Sequence, residues 1–398
     1  MKALISGASI AGPVLAYWLA RQGIDVTVVE RAPALRKTGG HAIDLFRPAM
    51  VIAERMGVLP EVMAHATGTT TLSLHQPWTS RPTSVDYVKL VGAMSDRHVE
   101  IMRDDLSEIF YTAGREDAEY LFGDQITAIT DDGHVEFQHG PARRFDIIVG
   151  ADGLHSGVRQ LAYGEVTEHF LGGYLAVVSV PKSLAVDGVM TGYYAPGQVA
   201  LLYTADHLDD ARAVFIFRTV HTPGYHYDHR DVVAQKNQLR QAFTGISWAV
   251  DAWLAEVEHT PAFYFDAITQ LDMPTWSRGR VTLVGDAGYC PGPAVGGSTS
   301  LAVYGAYMLA DALAKASGDH VAAFAAYEAN MAAPVAGARK LARVNARTVV
   351  PGSRLGVRAL IGVAQLITVL PLGLTQSLAR LNSKGVRLYD TMPLPAQE

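Results

Sequence analysis

The first thirty residues restrict the fold of this chain more than any other segment. Residues 3–7, Ala-Leu-Ile-Ser-Gly, read as a short apolar strand. Gly7, Ser9 and Gly12 form a Gly-x-Ser-x-x-Gly turn, Val14–Ala20 reads as a helix, and a second strand, Val26–Val29, ends at Glu30. A strand–turn–helix–strand unit of this kind holds the ADP half of a dinucleotide. Gly7 permits the tight turn, and Gly12 lets helix and strand pack with no Cβ between them. Ser9, Ile10 and Ala11 offer N–H groups to a pyrophosphate at a helix N-terminus, where the dipole favours negative charge. Glu30 is placed to accept hydrogen bonds from the adenosine ribose. A carboxylate there suits FAD or NAD better than NADP, whose 2′-phosphate it would repel.

A chain of 398 residues, 49% hydrophobic and 18% charged, builds a large core, either as two to three domains or as one α/β domain with an insertion. Its single cysteine, Cys290, excludes an intrachain disulfide and suits a reducing compartment. A net charge of −6 without a basic run leaves no footprint for nucleic acid. The strand that starts almost at Met1, with Gly7 interrupting any signal-peptide core, gives a cytoplasmic expectation. Leu355–Leu374 is apolar except for Arg358, Gln365 and Thr368, with Pro371 near its end. It is a poor spanning helix, so no integral membrane insertion is expected. A helix packed across the body is the expectation, and a peripheral membrane or partner contact the alternative.

Along the chain, Met50–Met56 reads as a helix that Leu59–His65 extends, residues 70–75 and 85–91 alternate like strands, and Val99–Ala113 reads as a helix. Asp131-Asp132-Gly133 joins a hairpin, and Phe145–Val149 is a buried strand ending in Gly150-Ala151-Asp152-Gly153. From Gly172 to Thr219 four short strands suggest an antiparallel sheet. Helices follow at Asp231–Phe243 and Val250–Val257, a buried strand at Val281–Val284, a Gly/Pro loop, and a helix at Thr299–Ala314. His221, His226 and His229 sit in a polar loop that reads as solvated, and no metal-ligand spacing accompanies them.

Two further segments carry chemistry. One is Asp146-Ile-Ile-Val-Gly-Ala-Asp152-Gly-Leu-His-Ser-Gly-Val-Arg159; the other is Gly285-Asp286-Ala-Gly-Tyr-Cys-Pro-Gly-Pro293-Ala-Val-Gly296-Gly297-Ser298. Together with the opening unit they resemble the class A flavoprotein monooxygenases, the family of para-hydroxybenzoate hydroxylase, and most of all its tetracycline-inactivating hydroxylases. The resemblance runs from residue 3 to about 330. It implies an α/β fold: a Rossmann-like FAD-binding domain (GR2-type, residues 1–70, 96–163 and 277–335) interrupted by a β-rich substrate domain (71–95 and 164–276), then a C-terminal helical segment (336–398). It assigns Asp286 to the ribityl hydroxyls of FAD, and Gly296, Gly297, Ser298 and Thr299 to the flavin pyrimidine edge, where a helix dipole eases reduction. Pro293, Gly296 and Gly297 would border the reacting ring. A helix N-cap or loop acid is the other reading of Asp286.

By the same likeness Asp152 and Arg159 form the Asp-Gly motif near the pyrophosphate, with a structural Asp–Arg pair as an equal alternative. Arg103 opens Arg-Asp-Asp-Leu, similar to the family's Arg-x-x-Leu, and is placed to pair with phosphate. Arg31 is a candidate at the adenosine. Gly40-His-Ala-Ile-Asp44-Leu resembles a stretch near the flavin, which makes Asp44 either a cofactor contact or a surface-loop acid. Tyr194, Tyr203, Phe215, Phe217 and Arg218 are candidates to line the substrate wall, although sheet packing explains the aromatics equally well. Ser9 and Ser298 depart from the family's glycines, and Tyr289 from its histidine. Cys290 reads as a small buried residue, with covalent flavin attachment as the lesser alternative.

The implied activity is hydroxylation of an aromatic, polycyclic or antibiotic-like small molecule. NADPH or NADH is the transient reductant, O2 the oxidant, and a C4a-hydroperoxyflavin the oxygen donor. The alternative is a flavoprotein that uses FAD as scaffold for a cyclisation or isomerisation without oxygen; a plain NAD-binding regulatory protein is a third reading. Lys37 or Arg36 could meet a 2′-phosphate, but surface charge is the default. A monomer or weak dimer is expected.

Overall fold

The computed structural model describes residues 1–35, 39–95, 97–219, 228–294, 297–371 and 388–395. Lys2–Ser6 lies at the centre of a six-stranded sheet in the order 277–278, 281–283, 147–150, 2–6, 25–30, 119–122. Every pairing in it is parallel except that of Ser277–Arg278 with Val281–Leu283. Ala3, Leu4, Ile5, Ile147, Ile148 and Val149 are buried, the continuous apolar pattern of strands covered on both faces. Three strands end side by side at Gly7, at the turn carrying Asp152 and at Asp286, which is the carboxyl edge where α/β sheets bind ligands.

A second sheet of seven strands has the order 263–272, 167–181, 210–218, 198–203, 189–195, 71–75, 83–86. One face of it packs on helices Val232–Phe243 and Trp248–Ala255. The other packs against Met102 and the long helix His320–Thr348. The strand pattern expected between Gly172 and Thr219 is present, extended to Thr167–Pro181 and Asp210–Arg218. Phe263–Asp272 is a strand within the stretch 164–276 expected to be β-rich, and helix His320–Thr348 begins well before the helical segment expected from 336.

Two local expectations are corrected. Val99–Ala113 is not one helix: His98–Met102 is a strand and Arg103–Gly114 the helix. The strand exists because Ala42–Phe46 pairs with it antiparallel, a long-range partner that local periodicity does not reveal. Residues 85–91 likewise divide, into strand Thr83–Asp86 and helix Tyr87–Met94, and the Asp86 carboxylate caps that helix by accepting from Lys89 N.

Towards the C-terminus, helix Arg354–Val369 buries Val357, Ile361 and Ala364 against Leu72, Leu74 and Val85 at the edge of the seven-stranded sheet. Among the described residues no helix is long and apolar enough to cross a membrane.

Candidate active site

Gly7 adopts φ +106°, and a Cβ there would lie 2.5 Å from the Ala151 carbonyl oxygen. Gly12 sits over the same turn, where a Cβ would fall 1.9 Å from the Gly7 oxygen. Both glycines are therefore required by contact between strand, turn and helix. Ile10 precedes helix Ala11–Arg21 with no side chain capping it, which leaves the first N–H groups of the helix for a ligand. The Glu30 carboxylate accepts from Ala8 N at 3.0 Å and from Ala32 N at 2.8 Å, so it borders the turn. Arg31 follows it with its side chain exposed.

A second helix N-terminus faces this turn. Arg103, its first residue, donates from Nη2 to Ser9 Oγ at 3.1 Å, and Ser107 Oγ donates to the Ser9 carbonyl at 2.9 Å. Ser9 thus has a local role that a glycine could not fill: it holds the guanidinium over the turn. The adjoining segment is pinned from both sides. Asp104 Oδ2 accepts from Gly40 N at 2.7 Å, Arg212 Nε donates to the Gly40 carbonyl at 3.0 Å, and Tyr203 Oη accepts from Ala42 N at 2.7 Å. Tyr203→Phe removes the acceptor of the half-buried Ala42 N–H and is expected to cost about 0.5–1.5 kcal/mol, read from urea unfolding.

Asp152 directs its carboxylate inward. It accepts from Ser156 Oγ at 2.5 Å, Val158 N at 3.1 Å and Ser6 Oγ at 3.3 Å. Arg159 is buried and donates to the carbonyls of Ala287 at 2.9 Å and Leu154 at 2.5 Å. It ties the Asp152 turn to the Asp286 turn.

Asp286 differs from these. Among the described residues its buried Oδ1 meets no N–H or O–H donor, and the Cys290 thiol is the carboxylate's hydrogen-bonding neighbour. Burial raises its carboxyl above the ordinary range, opposed by the neighbouring Cys290 thiol and by Arg103. A buried oxygen of this kind is what a ligand hydroxyl completes. Gly285 before it adopts φ +68° with a would-be Cβ 3.1 Å from Ala302 Cβ, so the turn lies against the start of helix Ser298–Lys315. That helix opens at Gly297, φ +64°, without a side-chain cap. Ser300 Oγ in its first turn donates to the Asp44 carbonyl at 3.1 Å and accepts from Phe46 N at 2.9 Å. Pro293 belongs to the preceding turn, in which Ala294 has φ +61°. Gly296 lies outside the described residues, as do Arg36, Lys37, His221 and His226.

The ribbon assembles a group around Asp44 that local periodicity does not predict. Asp44 and Glu100 are register partners on the two-stranded ribbon, so their side chains share a face. His98 Nε2 lies 2.6 Å from Asp44 Oδ1. Tyr87 Oη donates to Glu100 at 2.8 Å and Thr67 Oγ1 at 2.5 Å. Burial, then Asp44, pushes the Glu100 carboxyl up. The alternation His98-x-Glu100 was the available signal, hidden under a helix reading. His41, beside this group, is held down to about 4 by burial and then by Arg103. An imidazole kept neutral in the fold favours the folded state less as pH falls from the free value towards 4. His41→Gln is expected to flatten the decline in unfolding midpoint between pH 6.5 and 4.

The other candidates separate. Tyr203 packs with Val214 and Ile216 on the face of the sheet towards Met102 and helix His320–Thr348. Phe215 and Phe217 alternate to the opposite face, with ring centroids 5.0 and 5.6 Å from Phe243 under the two outer helices. Tyr194 lines a cavity of about 150 Å³ with Leu72, Leu74 and Ile361. Arg218 is exposed beside Gly352. Tyr289 is core: its Oη lies 3.0 Å from Tyr327 Oη, in space that a Cβ at Gly305 would occupy. His229 stacks on His155 at 4.1 Å, and His155 Nε2 lies 3.0 Å from Asp266 Oδ2. Among the described residues no cluster of His, Cys, Asp and Glu is arranged to hold a metal ion.

Comparison with known proteins agrees with this geometry. The family described as FAD binding domain matches residues 1–333. An uncharacterized protein of Mycobacterium tuberculosis (strain H37Rv) is 40% identical over 339 residues, covering 82% of this chain and 88% of that protein. A flavin-dependent monooxygenase of Legionella longbeachae is 34% identical over 343 residues, covering 83% and 84%. The crystal structure of tetracycline destructase Tet(55) superposes with TM-score 0.82 at 32% identity, over 100% of this chain and 98% of its own. The glycine turn, the buried Asp286 oxygen and these relatives converge: the chain belongs to the FAD-binding-domain family and is a class A, FAD-dependent flavoprotein monooxygenase.

Proposed function

We propose that the chain hydroxylates a phenolic or polycyclic, antibiotic-like small molecule with NADPH or NADH and O2. The observation that carries the cofactor placement is the buried Asp286 Oδ1 at the carboxyl edge, which meets no N–H or O–H donor among the described residues, next to a helix N-terminus without a side-chain cap. The substrate class rests on likeness to the tetracycline destructase.

FAD, when bound, supplies the electron transfer and oxygen activation. The chain's residues do the rest. The turn at Gly7–Gly12 and Arg103 take the pyrophosphate, and Glu30 the adenosine ribose. Asp286 accepts a hydrogen bond from a ribityl hydroxyl. The N–H groups at Gly297, Ser298 and Thr299 and the dipole of their helix stabilise negative charge on the pyrimidine edge. Pro293, Gly296 and Gly297 border the reacting ring. The inner face of the seven-stranded sheet, with Tyr203, covers the site and excludes water.

The test is a panel of polycyclic phenols, tetracyclines included, scored for faster NADPH or NADH oxidation with matching oxygen uptake. A product heavier by one oxygen atom supports the proposal. Conversion without oxygen uptake or nicotinamide consumption refutes it in favour of scaffold chemistry.

A further inference from the structure

The described part of the C-terminal tail, residues 388–395, is fastened onto the flavin side of the fold. Tyr304 Oη donates to the Pro393 carbonyl at 2.7 Å, Arg55 Nη1 to the Pro395 carbonyl at 2.8 Å, and Ser95 Oγ to Asp390 Oδ1 at 2.5 Å. Just ahead of these fastenings Tyr389 is buried and stacks on Phe46, with ring centroids 5.1 Å apart and planes at 18°. Its ring also closes on Gly297. A Cβ there would lie 2.6 Å from the Tyr389 hydroxyl oxygen and 2.7 Å from two ring carbons. Gly297 is the residue that starts the late helix, and Phe46 N is bonded to Ser300 in its first turn. The tyrosine is therefore wedged between the ribbon strand and the loop assigned above to the flavin pyrimidine edge.

We propose that Tyr389 is a positioning residue for the flavin: the tail presses its ring on Gly297 and fixes the loop whose N–H groups meet the pyrimidine. The inference rests on the FAD placement proposed above. It follows from packing. Gly297, the N-cap of helix Ser298–Lys315, has φ +64° and makes no side-chain cap. An aromatic ring in van der Waals contact supplies a fastening and lowers the ordering cost when the cofactor binds. A better-held helix N-terminus also stabilises the reduced, negatively charged flavin more than the oxidised form.

The experiment compares wild type, Tyr389→Phe, Tyr389→Leu and Tyr389→Ala as full chains. FAD dissociation constants come from titration of the apoproteins, and midpoint potentials from the loaded proteins. Leu239→Ala, a core truncation beneath the outer helices, controls for general destabilisation. The expected result is FAD binding at least tenfold weaker and a more negative potential for the alanine and leucine variants. Phenylalanine should track wild type, and the control should keep wild-type affinity. The leucine variant carries the comparison if alanine does not fold. Wild-type affinity and potential in the leucine variant overturn the inference, as does equal weakening in the control. Failure of wild type itself to bind FAD refutes instead the cofactor placement on which the inference depends.

Discussion

Asp286→Ala is expected to lose its FAD on gel filtration while its apoprotein melts no lower than wild type. The two halves have one cause. Among the described residues no N–H or O–H reaches Oδ1, and burial disfavours the charge of its carboxyl, opposed by the Cys290 thiol. Removing the carboxylate therefore removes a penalty. On the proposed placement the same oxygen accepts a hydrogen bond from a ribityl hydroxyl, a bond to a charged group worth about 1.5–3 kcal/mol. That is about a 10- to 100-fold rise in dissociation constant, read by titration of flavin fluorescence. It also shrinks the upward shift in melting temperature that saturating FAD produces. A variant that keeps stoichiometric flavin shows that Asp286 does not hold the cofactor.

Gly12→Ala has the larger effect on the fold. The new Cβ would fall 1.9 Å from the Gly7 carbonyl oxygen, and the neighbour is backbone, which cannot rotate away. Helix and strand must separate at the centre of the parallel sheet, a loss expected at about 3 kcal/mol or more. Gly23→Ala is the internal comparison. It has φ +75° but meets nothing within 4 Å, so only the left-handed backbone is strained, at about 1–2 kcal/mol. Urea unfolding of the two apoproteins should show Gly12→Ala well below Gly23→Ala, and only Gly12→Ala should also fail to take up FAD. Equal losses would mean that the turn tolerates a methyl group and that the close packing is not what fixes it.

The opening unit was legible because its chemistry is local: glycine positions, an acid at a strand end and apolar runs lie within thirty residues. Asp286 was legible for the same reason, at the end of a buried strand. The ribbon of Ala42–Phe46 with His98–Met102 was not, because its strands are stabilised by each other across more than fifty residues and Val99 onward has helical composition. With the ribbon went Glu100, His98 and Tyr87, and the paired setting of Asp44. Phe215 and Phe217 illustrate a different limit. Aromatic residues on a strand advertise burial, but the face they occupy depends on which side the helices cover, and those helices lie elsewhere in the chain. Tyr389 is the extreme case. It is separated from Gly297 by the whole C-terminal region, and only the folded chain brings them together.

The most direct test of the account is reconstitution of the apoprotein with FAD, followed by absorbance at flavin wavelengths and by calorimetric titration. One FAD per chain, retained on gel filtration by wild type and lost by Asp286→Ala, is the result predicted. A wild-type chain that remains colourless after incubation with excess FAD, or that binds FAD equally well without the Asp286 carboxylate, contradicts it.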